Sequence, residues 1–259
     1  MHNERVERDA VWVGTAAGDW EAVDRFAGRI LARQPRDASV RVQWAQSLLE
    51  RGRNEDAERE FRTVIGHWRS GPGQAPTAAA RAYQAVGGLL ALRGEYRGAG
   101  EMYEAALALA PESAWIHAAY GGVLAELGRM EEALDSYRRA ALLDASLPGV
   151  HYNLGTILMR LGRGAEAIES FRRAATAQGD DADLQNNLGL MLLEAGRLDE
   201  AGVALERALR LAPDHASAHF NMGRLLLERG EVDGAARHFE TAADLDPRIA
   251  ALLRSGGGS

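Results

Sequence analysis

Apolar residues along this chain recur at i, i+3, i+4 and i+7 in short runs, and each run is broken by a polar stretch built around glycine. That is the period of an amphipathic helix. The runs themselves repeat. "HYNLG" at 151–155 returns as "QNNLG" at 185–189 and as "HFNMG" at 219–223, a spacing of 34 residues both times. Windows of that length begin at Ala80, Ala114, Pro148, Ala182 and Ala216 with no gap between them. A fixed period of this size marks a stacked supersecondary unit that cannot bury its apolar face alone.

Each column of the alignment has a physical reason. The eighth place holds Gly87, Gly121, Gly155, Gly189 and Gly223, and the twentieth holds Ala99, Ala133, Ala167, Ala201 and Ala235. These are small residues where two helices must cross closely. The twenty-fourth holds Tyr103, Tyr137, Phe171, Leu205 and Phe239, side chains large enough to fill the space between those helices. Gly94, Gly128, Gly162, Gly196 and Gly230 at the fifteenth place end the first helix in the left-handed conformation. Pro111, Pro213 and Pro247 stop the second helix at the thirty-second place, where Ala145 and Gly179 stand in the other two windows. Each window therefore predicts a helix–turn–helix.

Two more units lie upstream. "ASVRVQWAQSLLERGRNEDAEREFRTVI" from Ala38 keeps Ala45, Gly52, Ala57 and Phe61 in register, and "VWVGTAAGDWEAVDRFAGRILARQP" from Val11 is a degraded version. The expected organisation is N-terminal repeats over 4–71, an inserted loop or hinge over 72–79, five in-phase repeats over 80–249, the start of a capping helix over 250–254, and a linker or cloning remnant over 255–259. Gly-Pro-Gly breaks the chain at the insertion, and "APT" predicts a lengthened helix from Pro76. Seven hairpins and about fifteen helices follow from this reading.

The pattern resembles the tetratricopeptide repeat, whose helical hairpins share this Gly, Ala, aromatic and Pro spacing; "NLGLMLLEAGRLDEAGVALERALRLAPD" from Asn187 is similar throughout its length. The resemblance implies an all-α, right-handed α-solenoid, with a channel lined by the first helix of each hairpin. Its second, fifth, sixth, ninth and twelfth places then look inward. The sixth is Asn153, Asn187 and Asn221, with Ala119, Ala85 and Gln43 at the same place upstream. An amide offers two donors and an acceptor, so a row of them can hold an extended peptide whatever its side chains. Similar rows serve peptide binding in the repeat domains of O-linked N-acetylglucosamine transferases. The same Asn residues are equally suited to tie one hairpin to the next. Two hydrogen bonds at each of three sites contribute roughly 3–9 kcal/mol before the costs of association, so side-chain pockets have to add to them. Trp115, Tyr152 and Phe220 are candidate walls, with Asn186 and Arg224 beside them.

The co-chaperone mode, in which cations grip a C-terminal carboxylate, is not expected. Its places hold Tyr152, Thr156, Asn187, Ser217 and Asn221, and the inward bases, Arg224 and Arg81, are far apart. His117, His151 and His219 recur at the fourth place and are expected to pack between helices; His215 and His219 are spaced i, i+4, but His215 falls in a turn. The chain has no Cys, which excludes thiolate chemistry, and all 30 of its basic residues are Arg. A net charge of −7 argues against nucleic-acid affinity. No apolar run reaches the roughly 20 residues that span a bilayer, and the start lacks a secretory segment, so a cytoplasmic place is the default expectation. No phosphate loop, nucleophile elbow or carboxylate pair is visible.

The expected function is therefore a non-catalytic module, without cofactor or metal, that binds an extended peptide of a protein partner. Two alternatives stand beside it: a scaffold that self-assembles through its uncapped last hairpin, "RIAALLR" being too short for a full capping helix, and a targeting domain cut from a larger enzyme.

Overall fold

The computed structural model describes residues 2–71, 75–178 and 181–256; residues 72–74 of the insertion, Gly179 and Asp180, and both chain ends beyond these bounds lie outside them. All fifteen elements among the described residues are α-helices. They divide into two compact units, Met1–Ser136 and Tyr137–Ser259.

The first unit pairs α1 (His2–Ala17) with α2 (Trp20–Arg33), α3 (Ala38–Glu50) with α4 (Asn54–Arg69), and α5 (Pro76–Leu92) with α6 (Tyr96–Leu109). It ends with α7 (Ala114–Glu126) and the start of α8 (Met130–Leu143), inside which the boundary falls. The second unit pairs α9 (Val150–Arg160) with α10 (Gly164–Gln178), α11 (Ala182–Glu194) with α12 (Leu198–Leu211), and α13 (Ala216–Glu228) with α14 (Val232–Leu245). A further helix, α15 (Pro247–Gly256), packs on α14. Each unit is thus a stack of antiparallel hairpins, the α-solenoid class.

Local chemistry accounts for the hairpins. Asp37 and Asp181 cap α3 and α11 by accepting from Val40 N at 3.1 Å and Leu184 N at 2.9 Å. Gly196 ends α11 with φ of 70°. Its N–H donates to Leu193 O at 2.9 Å and that of Arg197 to Leu192 O at 2.8 Å, the paired bonds that close a helix through a left-handed residue. Arg197 then reaches forward to Glu200 in the first turn of α12, as Arg163 does to Glu166 and Arg129 to Glu132. Two of these glutamates are reached also from the preceding hairpin, by Arg138 on Glu166 at 2.8 Å and Arg172 on Glu200 at 2.5 Å. These pairs are half-exposed and contribute little each. The pairs of Arg138 and Arg172 run as a ladder from one second helix to the next.

Packing at the crossings of the second unit's hairpins is tight. A Cβ at Gly189 would sit 2.7 Å from Leu205 Cγ, and one at Gly223 2.7 Å from the Phe239 ring. Ala201 and Ala208 beside them are fully buried. In the first unit, Phe61 and Tyr103 hold the same place and are buried in the core of that unit. The inserted segment is internal to this unit, and α5 starts at Pro76, so its later residues form the first turn of a lengthened helix.

This packing makes two opposite glycine substitutions informative. Gly189→Ala should lower stability by about 1–3 kcal/mol, because the branched Leu205 has to move. Gly28→Ala, inside α2 with nothing within 4 Å of the added carbon, should raise it by about 0.4–1 kcal/mol. Urea melts followed by circular dichroism measure both.

Candidate functional site

In the second unit the Asn row lies on the first helices α9, α11 and α13. Asn221 is buried, at 5% exposure, and its amide donates to Asn186 Oδ1 at 2.9 Å. Asn186, also buried, donates to Asn187 Oδ1 at 3.5 Å, and Asn187 donates to the Tyr152 hydroxyl at 3.2 Å. One chain of hydrogen bonds thus runs across three hairpins, with each link joining or supporting neighbouring first helices. Tyr152 is held edge-on against Phe171 at 5.9 Å, and burial raises its pKa, so its hydroxyl stays neutral. Asn153 differs from the others. It is partly exposed, and its side chain makes no hydrogen bond with the described residues.

The remaining candidates separate from this row. Phe220 packs on Phe239 with ring centroids 5.5 Å apart. Arg224 stands beside Glu194 and Glu228 at a shallow cleft of about 370 Å³. Trp115 belongs to the first unit, where it is 50% exposed.

There it lines a groove of about 1430 Å³ along α1, α3, α5 and α7. Arg81, Gln43, Ala85 and Ala119 line it too, at the second and sixth places of their hairpins. So do Trp12 and Leu92, exposed at 64% and 83%, which the inward places do not include. Leu92 closes α5 at the thirteenth place, where Glu50 closes α3 and Glu126 closes α7. Reading that column along the repeats would have found all three. The groove combines exposed aromatic and aliphatic side chains with a few polar ones, the makeup of a surface that gains by being covered.

The histidines of the fourth place serve the turns. His117 Nε2 lies 2.9 Å from Pro111 O, and His219 Nε2 lies 2.9 Å from Pro213 O. Each ring clips the start of a first helix to the turn before it. His151, by contrast, is buried, and its Nδ1 has no hydrogen-bond partner among the described residues. His215 caps α13 by accepting from Ala218 N at 3.3 Å, and its Nε2 meets Asp183 at 3.0 Å. No group of three or more metal-ligating side chains occurs among the described residues. None of the described helices is long and apolar enough to cross a membrane.

Stacked hairpins of this period, with their glycine crossings and turns, define a tetratricopeptide-repeat protein. The family model for the cilia and flagella-associated protein 70 C-terminal domain matches residues 13–252, and the chain belongs to that family. No curated protein matches it. Among solved structures it is similar to PilF of Pseudomonas aeruginosa, at 22% identity and a TM-score of 0.67, over 85% of this chain and 97% of that one. It is similar also to YrrB, a TPR protein with an unusual peptide-binding site, at 24% identity and 0.65, over 75% and 97%. MamA follows at 23% and 0.60, over 66% and 94%. At these identities the likeness shows the fold.

Two outcomes test the site's energetics. Asn221→Ala leaves the buried Asn186 oxygen without its donor and should cost about 1–3 kcal/mol, whereas Asn153→Ala should stay within about 0.5 kcal/mol of the parent; chemical denaturation compares them. Burial, with Arg173 nearby, lowers the pKa of His151 below its usual 6.5. The unfolded chain therefore takes up the proton first, so stability is complete above the usual 6.5 and falls as pH drops below it. His151→Gln, which installs the residue that Gln185 provides one repeat later, should flatten that fall in melting midpoints measured from pH 8 to pH 5.

Proposed function

We propose that this chain is a non-catalytic protein–protein interaction module that receives a peptide segment of a partner protein in the groove of its first unit. The observation that carries this reading is the groove itself. Trp12, Leu92 and Trp115 stand exposed around one concavity, and Arg81 on its wall makes no ion pair with the described residues. Aromatic and arginine side chains are the groups on which binding energy concentrates once water is excluded. A peptide seated there covers apolar surface that the fold leaves bare. That YrrB is a TPR protein with a peptide-binding site supports the class of ligand.

The Asn row contributes differently from a simple ladder. Asn187 and Asn221 direct their donors along the stack, so they hold the row in register, and the open Asn153 amide is a separate candidate contact on the second unit. The reading needs no cofactor, since binding of a segment requires only complementary surface.

A peptide-display selection tests it, run in parallel on the parent, on Trp115→Ala with Arg81→Glu, and on Asn153→Ala. Both groove residues line an open surface, so folding is expected to survive and is checked by circular dichroism. Peptides enriched on the parent should lose roughly 2 kcal/mol or more of binding on the groove variant. Equal enrichment on parent and groove variant would remove the groove from the function.

A further inference from the structure

If the groove of the first unit is the binding surface, its shape and charge pattern select among peptide conformations, and the conformation of the occupant rests on that reading. Three first helices, α3, α5 and α7, form its wall, with α3 packed on α5 and α5 on α7. Near their starts the wall carries Arg81 and Trp115. At their last residues it carries Glu50, Leu92 and Glu126. From Trp115 to Glu126 the helix rises about 16 Å.

Between those two levels the floor is low, with Ala85 and Gly88 on α5 and Ala119 and Gly122 on α7. An extended strand occupies about 5 Å in the direction of its hydrogen bonds, and a helix with its side chains about 10–12 Å. A trough about 16 Å wide between its two rims suits the helix. Hydrogen bonding points the same way. A strand laid across the wall needs partners for its backbone along its whole length. Gln43, Gln46 and Gln84 offer amides on α3 and α5, but on α7 every lining residue between Trp115 and Glu126 is Ala, Gly or Val. A helix brings its backbone hydrogen bonds with it.

Charge sets the orientation. Glu50 and Glu126 are exposed and make no ion pair or hydrogen bond with the described residues. Neighbouring arginines are already engaged: Arg51 with Asp24, Arg93 with Glu58 and Glu95, and Arg129 with Glu132. The C-termini of α3, α5 and α7 add partial negative charge at the same level. One rim is thus acidic, and the opposite rim carries the unpaired Arg81.

We infer that the occupant is an amphipathic α-helix of a partner protein, lying across α3, α5 and α7. Its apolar face rests on Leu92, Trp115 and the low floor. Its basic edge runs along Glu50 and Glu126, and an acidic residue on the other edge meets Arg81. Neighbouring axes about 8–10 Å apart set a span of roughly 20 Å, or about 14 residues of helix.

The experiment uses a fluorescein-labelled helical peptide of about 16 residues, with leucine on one face, arginine along one edge and glutamate along the other. Two controls have the same length, one with two central prolines and one with the charged edges exchanged. Fluorescence anisotropy measures binding to the full chain, and circular dichroism measures peptide helicity. The probe should bind and gain helicity, and the proline peptide should bind at least about tenfold more weakly. Glu50→Lys with Glu126→Lys should weaken the probe by about tenfold and shift preference to the exchanged peptide. Equal binding of the proline peptide overturns the helical occupant, and equal binding of the exchanged peptide overturns the charge match. If no helical probe binds while display-selected peptides do, the inference fails and the groove reading survives. If neither binds, both fail.

Discussion

The constraint on which the rest of the structure depends is the close crossing of the two helices within a hairpin, tightest in the second unit. At Gly155, Gly189 and Gly223 the first helix comes so near the second that a single methyl group would meet Phe171, Leu205 or Phe239 below 3 Å. Only a residue without a side chain permits that approach, and only a large partner across it fills the space left around it. The buried alanines at the twentieth place, with Ala174, Ala208 and Ala242 seven residues further on, extend the same contact along the second helix. Because this contact uses one face of each first helix, the opposite face is left over. In the first unit that leftover face, on α3, α5 and α7, becomes the groove.

The hairpins were legible in the sequence because their determinants are local and obligatory. A left-handed residue is needed where each first helix ends, and Gly52, Gly94, Gly128, Gly162, Gly196 and Gly230 all have φ near 70–80°. A lengthened helix after the insertion followed from Pro76, whose fixed φ suits a first helical turn. The candidate site was legible only in part. The sixth place holds a row of amides, but Asn186 and Asn187 are adjacent in sequence and about 100° apart around their helix. Nothing in the letters says that Asn221 bonds to Asn186, while Asn187 reaches Tyr152 in the hairpin before it. Side-chain hydrogen bonds between hairpins depend on the offset of one helix against the next, which a repeat period does not encode.

The histidines show the same limit from another side. Their recurrence at the fourth place suggests packing between helices, and burial of His151 agrees with that. Their polar work lies in the turn instead, where Pro111 and Pro213 supply the carbonyl oxygens that His117 and His219 meet. Proline ends the second helix and leaves nearby carbonyls without helical donors. A ring nitrogen from the next helix answers that need, so the proline and histidine columns form one device spread over two windows. Trp12 and Leu92 fall outside the repeat pattern for different reasons. The first sits in the degraded hairpin where register is weakest, and the second lies one residue past the last inward place.

Charge is used in two ways on this protein. On the outer face, arginines and glutamates close on one another: Arg138 with Glu166, Arg172 with Glu200, Arg129 with Glu132. Such pairs keep a polar surface soluble and in register while contributing little stability each. In the groove of the first unit, Arg81, Glu50 and Glu126 stand beside exposed Trp12, Leu92 and Trp115 without closing on any described residue. With 30 arginines and 37 acidic residues in the chain, partners were not in short supply. Charges left open around bare apolar side chains give that surface a preferred direction for whatever covers it, which is how electrostatic complementarity confers specificity more than raw affinity.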